Sequence, residues 1–334
     1  MEDATLYVTA QGSRLGRIGE RLVVRSREGR ILSDVPFFRL RQVVCMGTVE
    51  IGHSALTALL KRDIDVALLT LTGRFKGRLS NLQPKAVRCR MKQYERAADP
   101  AFRLETAKAL VRGKLASSRV WLMRQNRSHD DALAKAVLGV TDALRAVDAA
   151  ATVEELMGIE GNGAKCHFQG IRAVLKQELG FEGRVKRPPT DPVNAMLSFG
   201  YTILFNRVWS AVEQAGLDPM LSNLHAIEDR RPSLALDLME EFRVVVVDPV
   251  VCGMINRLEV NATGFRLEEG KGVRMSEATI AALVGKLQAR FADACACPVD
   301  GRSYSYGDLV TRQAWQYKSL VLGERSEYIP VTIK

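Results

Sequence analysis

The hydrophobic pattern of the chain changes near residue 81, and this change limits the possible folds. Before it, short apolar segments rich in β-branched residues alternate with glycine turns, which predicts strands at residues 5–10, 21–26, 40–45 and 65–70 and one short helix over 54–62. After it, apolar residues recur at helical spacing. We therefore expect an α+β protein: a small N-terminal β-sandwich over residues 1–80, a linker over 81–95, and a larger all-α domain over 96–334.

The helical part divides at residues that start or stop helices. Asp191 is expected to cap a helix that Pro192 opens and that continues to Gln214. A helix starting at Val153 is expected to end near Gly158, because Gly161 and Gly163 follow closely and glycine weakens a helix. Further helices are predicted over 102–125, 130–149, 276–292 and 306–320. An apolar tail at 328–334 is expected to dock either on its own domain or on a partner.

The charge balance favours a polyanionic partner. The net charge is +10 and the pI is about 9.4, as in many nucleic-acid-binding proteins. No apolar run approaches about 18 residues, and no lipidation motif or basic amphipathic anchor is present, so we expect no membrane association. The N-terminus has no signal-peptide pattern, and the six cysteines include no CxxC pair. We therefore expect a cytoplasmic protein with reduced thiols.

One segment of the helical part concentrates acidic residues. Residues 231–243 read RPSLALDLMEEFR, and Ser233 is a plausible helix start. Positions three and four apart share one face of a helix, so Asp237 and either Glu240 or Glu241 can point at one spot. His225 can reach that spot from the preceding loop. Carboxylate oxygens with one imidazole favour Mg²⁺ or Mn²⁺ over zinc, and in a basic chain such a site suggests phosphodiester chemistry.

Two structural alternatives remain open for these residues. Asp237 and Glu240 could form an ion-pair cluster with Arg231 and Arg243, with no metal involved. Arg243 lies three positions after Glu240 and could pair with it, so we assign Arg243 no catalytic role.

The other candidate residues are less specific. Glu160 lies between glycines, where a side chain can be presented to something that approaches the backbone, but the residues alone do not decide whether it is a ligand. His129 precedes two aspartates, as in HD phosphohydrolases. Their fold needs an earlier histidine, and the only one is His53 in the β-rich part. Residues 264–272 lack the spacing of a phosphate-binding loop.

Four ordered motifs carry a resemblance to a known family. They are LMGIEGN at 156–162, RPPTDPVNAMLSFGY at 187–201, GLDP at 216–219 with His225, and RPSLALDLMEEFR at 231–243. With them, the chain resembles the CRISPR-associated integrase of spacer acquisition, the first-numbered family of Cas proteins, over nearly its whole length. VCMGTVEI at 44–51 and GRFKGRL at 73–79 also look like that family's β domain.

The resemblance implies an architecture and an assembly. It implies a β-sandwich followed by an all-helical catalytic domain, with the sandwich serving dimerisation and DNA contact. It also implies a homodimer, two copies of which flank a central dimer of the small second adaptation protein.

The family's metal ligands fall on Glu160, His225 and Glu240, with Asp237 as a nearby acidic residue that orients the site or supports a second cation. The last ligand is often aspartate in the family, and here it is Glu240. His167 stands where relatives often have tyrosine. Arg184, Lys186 and Arg187, close to the Pro-Pro turn, are candidates for phosphate contacts, although a solvated loop is an equal alternative.

The function implied is metal-dependent transesterification on double-stranded DNA. The 3′-hydroxyl of a short foreign DNA would attack a phosphodiester at the edge of a CRISPR repeat, and water in its place would give an endonuclease. The alternative is a non-catalytic DNA-end-binding scaffold of the adaptation complex. Three acidic residues within about one helical turn argue against the scaffold, because they repel each other unless a cation or basic neighbour offsets them.

Overall fold

A computed structural model describes residues 4–81, 86–126, 130–186 and 188–333 of the chain. Arg187, His129 and the centre of the predicted linker, 82–85, lie outside the described residues. The chain divides into two compact units, Met1–Pro84 with Ile280–Val284 and Lys85–Thr279 with Gly285–Lys334. Within the described ranges, the helices are all too short or too polar to cross a membrane.

The N-terminal unit contains two four-stranded sheets and one helix. In chain order its elements are β1 (Ala4–Val8), β2 (Arg14–Ile18), β3 (Arg21–Arg25), β4 (Ile31–Pro36), β5 (Leu40–Met46), β6 (Glu50–Ile51), α1 (His53–Lys61), β7 (Asp65–Leu69) and β8 (Phe75–Leu79). One sheet has the order β1-β5-β7-β8, with β1, β5 and β7 parallel and β8 antiparallel to β7. The other has the order β4-β3-β2-β6, in which β6 is parallel to β2.

Both sheets of this unit contribute to one hydrophobic core. Leu22 of β3, Val43 of β5 and Leu59 of α1 are fully buried in the same cluster. Successive residues of β3, β5 and β7 are buried, as expected for short apolar strands in the middle of a core. The predicted β-rich N-terminal part is confirmed, and its description as a sandwich stays a prediction.

Beyond residue 86 the chain is mostly helical. Its elements are α2 (Val87–Ala97), α3 (Pro100–Gln125), α4 (Asp131–Ala146), α5 (Val153–Val174), α6 (Pro192–Gln214), α7 (Ser233–Phe242), α8 (Asp248–Asn256), β9 (Phe265–Glu268), β10 (Gly272–Met275), α9 (Glu277–Ala292), β11 (Ala294–Ala296), β12 (Ser303–Ser305) and α10 (Tyr306–Val321). The hairpins β9–β10 and β11–β12 mean that this part is mainly helical, whereas we had predicted an all-α domain. Helix α2 occupies part of the range predicted as a linker.

Helix α5 continues where we expected it to end. We predicted an end near Gly158, but the helix runs through Gly161 and Gly163 to Val174. Gly163 has a packing reason, because a Cβ there would lie 2.5 Å from Leu115 Cδ2 on α3. Each interior glycine costs about 0.5–1 kcal/mol relative to alanine, and tertiary packing between α5 and α3 offsets that cost.

The starts of two other helices follow the sequence more closely. Asp191 caps α6 as predicted, since its Oδ1 accepts a hydrogen bond of 2.8 Å from Asn194 N. Helix α7 begins at Ser233, but the Ser233 hydroxyl donates to the carbonyl of Ala226 at 2.9 Å and does not cap the helix. This bond ties the first turn of α7 to the loop that carries His225.

The C-terminal tail docks on helices of its own chain. Tyr328 OH and Val331 N both donate to the carboxylate of Glu241 on α7, at 2.5 Å each. Gln313 Nε2 donates to the same carboxylate at 3.0 Å. The side chain of Pro330 occupies the space where Gly113 of α3 has no Cβ. Of the two tail positions left open by the sequence, the structure shows the intramolecular one.

The buried position of Glu241 predicts a pH-dependent stability. Burial raises the pKa of Glu241 to about 7, although the hydrogen bonds from Tyr328, Val331 and Gln313 oppose that rise. The folded chain therefore keeps a proton that the unfolded chain releases above the ordinary glutamate pKa of 4.5. The stabilisation is complete below pH 4.5 and is lost as the pH rises through about 7, and it amounts to about 3 kcal/mol.

Glu241→Gln should remove this dependence while keeping the shape of the side chain. We expect the free-energy difference between variant and wild type to shift in favour of the variant by about 3 kcal/mol from pH 4.5 to 8. Urea unfolding at several pH values measures it, with the exposed Glu154→Gln as control. An equal difference at every pH would contradict the prediction.

Candidate metal and DNA site

Five helices of the helical part, α3, α5, α6, α7 and α8, and the segments between them surround a cavity of about 520 Å³. Its walls include Lys114 of α3, Glu160 of α5, Glu240 of α7 and His225 from the loop before α7. The extension of α5 through its glycines carries Glu160 to this wall. The structure thus brings together the three residues that the family resemblance implies as metal ligands.

Glu160 and Glu240 both form ion pairs with the same lysine, Lys114. Lys114 Nζ contacts Glu160 Oε1 and lies 2.6 Å from Glu240 Oε2. On its other side, Glu240 Oε1 accepts a hydrogen bond of 2.9 Å from Arg243 Nε. Glu240 is only 4% exposed, and Lys114 is 9% exposed, so these charges are shielded from water. Two carboxylates and two cations therefore form one buried network.

This network keeps Glu240 ionised. Burial alone would raise the pKa of Glu240, but Arg243 and Lys114 outweigh it and, with His225, lower the pKa to about 2. The same carboxylates raise the pKa of Lys114 above its usual value despite its burial. At neutral pH, Glu240 is therefore a carboxylate with strong affinity for positive charge.

Asp237 orients His225 and does not line the cavity. Its Oδ1 lies 2.7 Å from His225 Nδ1 and also accepts from His225 N at 3.0 Å. Its Oδ2 accepts from the backbone of Asn223 and Leu224. Asp237 is completely buried, and both of its oxygens are used by these donors. This geometry fits the orienting role considered for Asp237, whereas no oxygen is left free for a second cation.

The contact with Asp237 determines which nitrogen of His225 is available. A carboxylate at Nδ1 selects the tautomer with a proton on that atom, so that the Nε2 lone pair of the neutral ring remains free. A carboxylate partner on the second ring nitrogen is the usual arrangement for a metal-binding histidine.

The remaining acidic and basic residues of the motif separate in space. Glu241 turns away from the cavity towards the tail, so of the two glutamates only Glu240 reaches the site. Arg243 pairs with Glu240, whereas Arg231 pairs with Glu228 at 2.7 Å. The purely structural ion-pair alternative is therefore present in part, as the Glu240–Arg243 pair.

The donor set suits a hard divalent cation. Two carboxylates and one imidazole nitrogen are ligands that Mg²⁺ and Mn²⁺ accept. Among the residues that the structure describes, no group of three His, Cys, Asp and Glu side chains is arranged to hold a metal ion. Glu160 and Glu240 are bridged by the Lys114 ammonium, so the pair of carboxylates already holds one positive charge. The residues therefore fit a metal by chemistry and by charge.

Lys114 was missed in the sequence, although a signal exists. It lies on α3 between Gly113 and Leu115, on a stretch that is almost entirely buried. A lysine within a buried helical stretch needs an acidic partner, since burying an unpaired charge is costly. The sequence does not show that the partners are Glu160 and Glu240, which are 46 and 126 residues away.

A second buried polar network also lines the cavity. Asp248 Oδ1 accepts from Tyr201 OH at 2.5 Å, and its Oδ2 lies 2.9 Å from His167 Nε2. The guanidinium of Arg243 lies 4.6 Å from the centre of the Tyr201 ring, which connects this network to Glu240. His167 therefore lines the cavity with its Nε2 engaged by Asp248, and no pattern in the sequence indicated this partner.

The predicted phosphate contacts differ from one another. Arg184 is engaged inside the protein, donating to Asn194 Oδ1 and to Ser198 Oγ at 2.9 Å each. Lys186 lines the cavity without a hydrogen-bond or ion-pair partner in the described part of the chain. Burial, followed by the nearby Arg243, lowers the pKa of Lys186. Arg187 lies outside the described residues.

Comparisons with known proteins place the chain in one family. The family model for CRISPR associated protein Cas1 matches residues 6–289. A CRISPR-associated endonuclease Cas1 of Thermus thermophilus is 36% identical over 326 residues, which cover 98% of each chain. One from Rhodospirillum rubrum is 36% identical over 285 residues, covering 82% of each chain.

Solved structures share the fold. A casposase bound to integration product has a TM-score of 0.86 at 19% identity, covering 100% of this chain and 95% of that one. A Cas1 protein from Thermotoga maritima has a TM-score of 0.80 at 22% identity, covering 99% and 100%. A chain of a Cas6-RT-Cas1–Cas2 complex has a TM-score of 0.84 at 24% identity. That match covers 99% of this protein but only 36% of the longer chain.

Proposed function

Because this chain belongs to the Cas1 family of CRISPR-associated proteins, we propose that it is a metal-dependent DNA integrase and endonuclease of CRISPR adaptation. The observation that carries this proposal is the convergence of Glu160, Glu240 and His225 on one cavity that lysine and arginine side chains also line. Acidic ligands within a basic pocket suit a phosphodiester, whose charge needs both a cation and basic neighbours.

We propose that Glu160, His225 and Glu240 hold Mg²⁺ or Mn²⁺, with His225 binding through Nε2. When bound, such an ion polarises a phosphoryl oxygen and stabilises negative charge on the leaving 3′-oxygen. Asp237 contributes by holding the His225 ring and its tautomer through Nδ1. It acts as a positioning residue rather than as a ligand.

The other side chains of the cavity prepare it for the substrate. Arg243 and Lys114 keep Glu240 ionised, so that no proton competes for that carboxylate near neutral pH. Lys186, which has no partner among the described residues, would bind a phosphate of the DNA. Arg184 would act indirectly, because its hydrogen bonds to Asn194 and Ser198 hold the loop that carries Lys186.

In the proposed reaction, the 3′-hydroxyl of a short foreign DNA attacks a phosphodiester at the edge of a CRISPR repeat. The new bond joins the 3′-oxygen to phosphorus, and the repeat strand leaves as a 3′-hydroxyl. Water as the attacking group gives cleavage instead. We propose a homodimer that works with the small second adaptation protein on double-stranded DNA. The β-rich unit would serve dimerisation and DNA contact.

A strand-joining assay tests this function. A short duplex with free 3′-hydroxyls is offered to a supercoiled plasmid that carries a repeat, with the small adaptation partner and Mn²⁺ or Mg²⁺. We expect covalent joining by the wild type that requires the metal and the 3′-hydroxyl, and no joining by His225→Ala. Glu154→Gln, an exposed change on the same helix as Glu160, should join normally.

The other outcomes assign other functions. Plasmid nicking without joining would show that the protein is an endonuclease and not an integrase. Equal DNA binding by the wild type and His225→Ala, with no reaction by either, would favour the non-catalytic scaffold.

A further inference from the structure

Helix α5 contains a glycine at the cavity that its own packing does not explain. Gly163 and Gly170 of this helix leave room for leucines of α3, since a Cβ at either would lie 2.5 Å from one of them. Gly161 is different, because a Cβ there would meet nothing within 4 Å. It is exposed and lines the cavity. An interior glycine weakens the helix, and here no protein contact within the described ranges compensates.

A basic residue lies on the same face of the helix. Lys165 follows Gly161 by four positions, about one helical turn, and also lines the cavity. Lys165 has no hydrogen-bond or ion-pair partner within the part of the chain that the structure describes, unlike Lys114. Lys186 on the 182–186 loop is likewise without a partner there and lines the same cavity. Both lysines are exposed at the cavity, so their ammonium groups are available to an anionic ligand beyond the paired Glu160–Lys114–Glu240 network.

The acidic residues at the cavity do not satisfy these lysines. Glu240 and Glu160 are engaged with Lys114, and Asp248 is engaged with His167 and Tyr201. Glu182 pairs with Arg172 at 2.7 Å. The Lys165 ammonium is exposed to water and, within the described ranges, is not neutralised by a carboxylate of the cavity, so it is available to a phosphate.

We propose that Gly161 and Lys165 form a subsite on α5 for the sugar–phosphate backbone of a DNA strand next to the reacting phosphodiester. The missing side chain at Gly161 lets the strand lie against the helix, and the Lys165 ammonium binds one of its phosphates. This inference rests on the proposed function and adds two residues to it. Gly161 is a positioning residue, since it acts by leaving space.

The first test uses Gly161→Ala, with Gly285→Ala as the matched control. Gly285 is also exposed inside a helix, α9, has nothing within 4 Å of its would-be Cβ, and does not line the cavity. Alanine should raise the melting temperature of both variants by about 1 °C. Joining should fall about tenfold or more in Gly161→Ala only, because small displacements of a reacting strand are costly. Unchanged joining by Gly161→Ala, or a lowered melting temperature, would overturn the role of Gly161.

The second test measures how DNA binding by Lys165→Ala depends on salt. The probe is a short duplex whose 3′ ends lack the hydroxyl group, so that it binds but cannot be joined. Losing one phosphate contact should reduce the slope of log affinity against log salt by about 0.9 for duplex DNA. Lys165→Arg should keep the wild-type slope, as should Lys135→Ala, which changes an exposed lysine on α4.

An unchanged slope for Lys165→Ala would overturn the phosphate contact. The outcome is separable from the proposed function, because binding is measured without joining. A wild type that never joins DNA refutes the function. A wild type that joins, with Gly161→Ala and Lys165→Ala behaving like it, refutes only the subsite.

Discussion

Replacing Glu240 with glutamine should lower the free energy of unfolding by about 3 kcal/mol and abolish strand joining, because it leaves buried cations without their counter-charge. Within the described ranges, Glu240 is the one carboxylate that pairs with Arg243, and Lys114 would keep only Glu160. Glutamine has the same shape, so the loss measures charge rather than packing. For a chain of this size, the melting temperature should fall by about 4 °C.

Urea unfolding and the joining assay measure both effects, and Glu154→Gln is the control for a glutamate without such partners. The pKa of Glu240 is lowered, so its contribution is complete above pH 4.5 and is lost as the pH falls towards about 2. The stability difference between variant and wild type should shrink over that acidic range. A variant as stable as the wild type at pH 7 would show that the network adds nothing to folding.

Replacing Lys114 with methionine should make the stability of the protein depend strongly on Mg²⁺ or Mn²⁺. Without the ammonium, Glu160 and Glu240 lose the cation that bridges them, so we expect a loss of about 3 kcal/mol in a chelator. A divalent cation replaces the missing charge and no longer competes with Lys114. At a concentration about 100 times its dissociation constant, it should restore about 2.7 kcal/mol.

Thermal unfolding in chelator and in Mn²⁺ tests this prediction without any DNA. Mn²⁺ should raise the melting temperature of Lys114→Met more than that of the wild type or of Lys135→Met, an exposed lysine change on α4. Equal shifts in all three proteins would contradict a metal site at Glu160 and Glu240. The wild type should also bind Mn²⁺ more weakly than Lys114→Met in calorimetry.

Much of the architecture could be predicted because its causes are local. Short apolar, β-branched segments between glycine turns form the buried strands, and the Asp191–Pro192 pair starts α6 as expected. The predicted end of helix α5 near Gly158 was wrong, because propensity is a local quantity. The packing of Gly163 against Leu115 depends on a residue from another helix, α3, and it allows the helix to continue to Val174.

The sequence by itself determined the order of β-rich and helical parts, the basic charge and, through the family resemblance, the choice of Glu160, His225 and Glu240 as candidates. Only the tertiary structure decided how these residues are partnered. In it, Lys114 lies between the two glutamates, Asp237 contacts His225, and Glu241 accepts hydrogen bonds from the tail. Spacing along a helix determines which face a carboxylate occupies. Which donor meets it depends on side chains brought from distant helices, and a single sequence carries no record of those contacts.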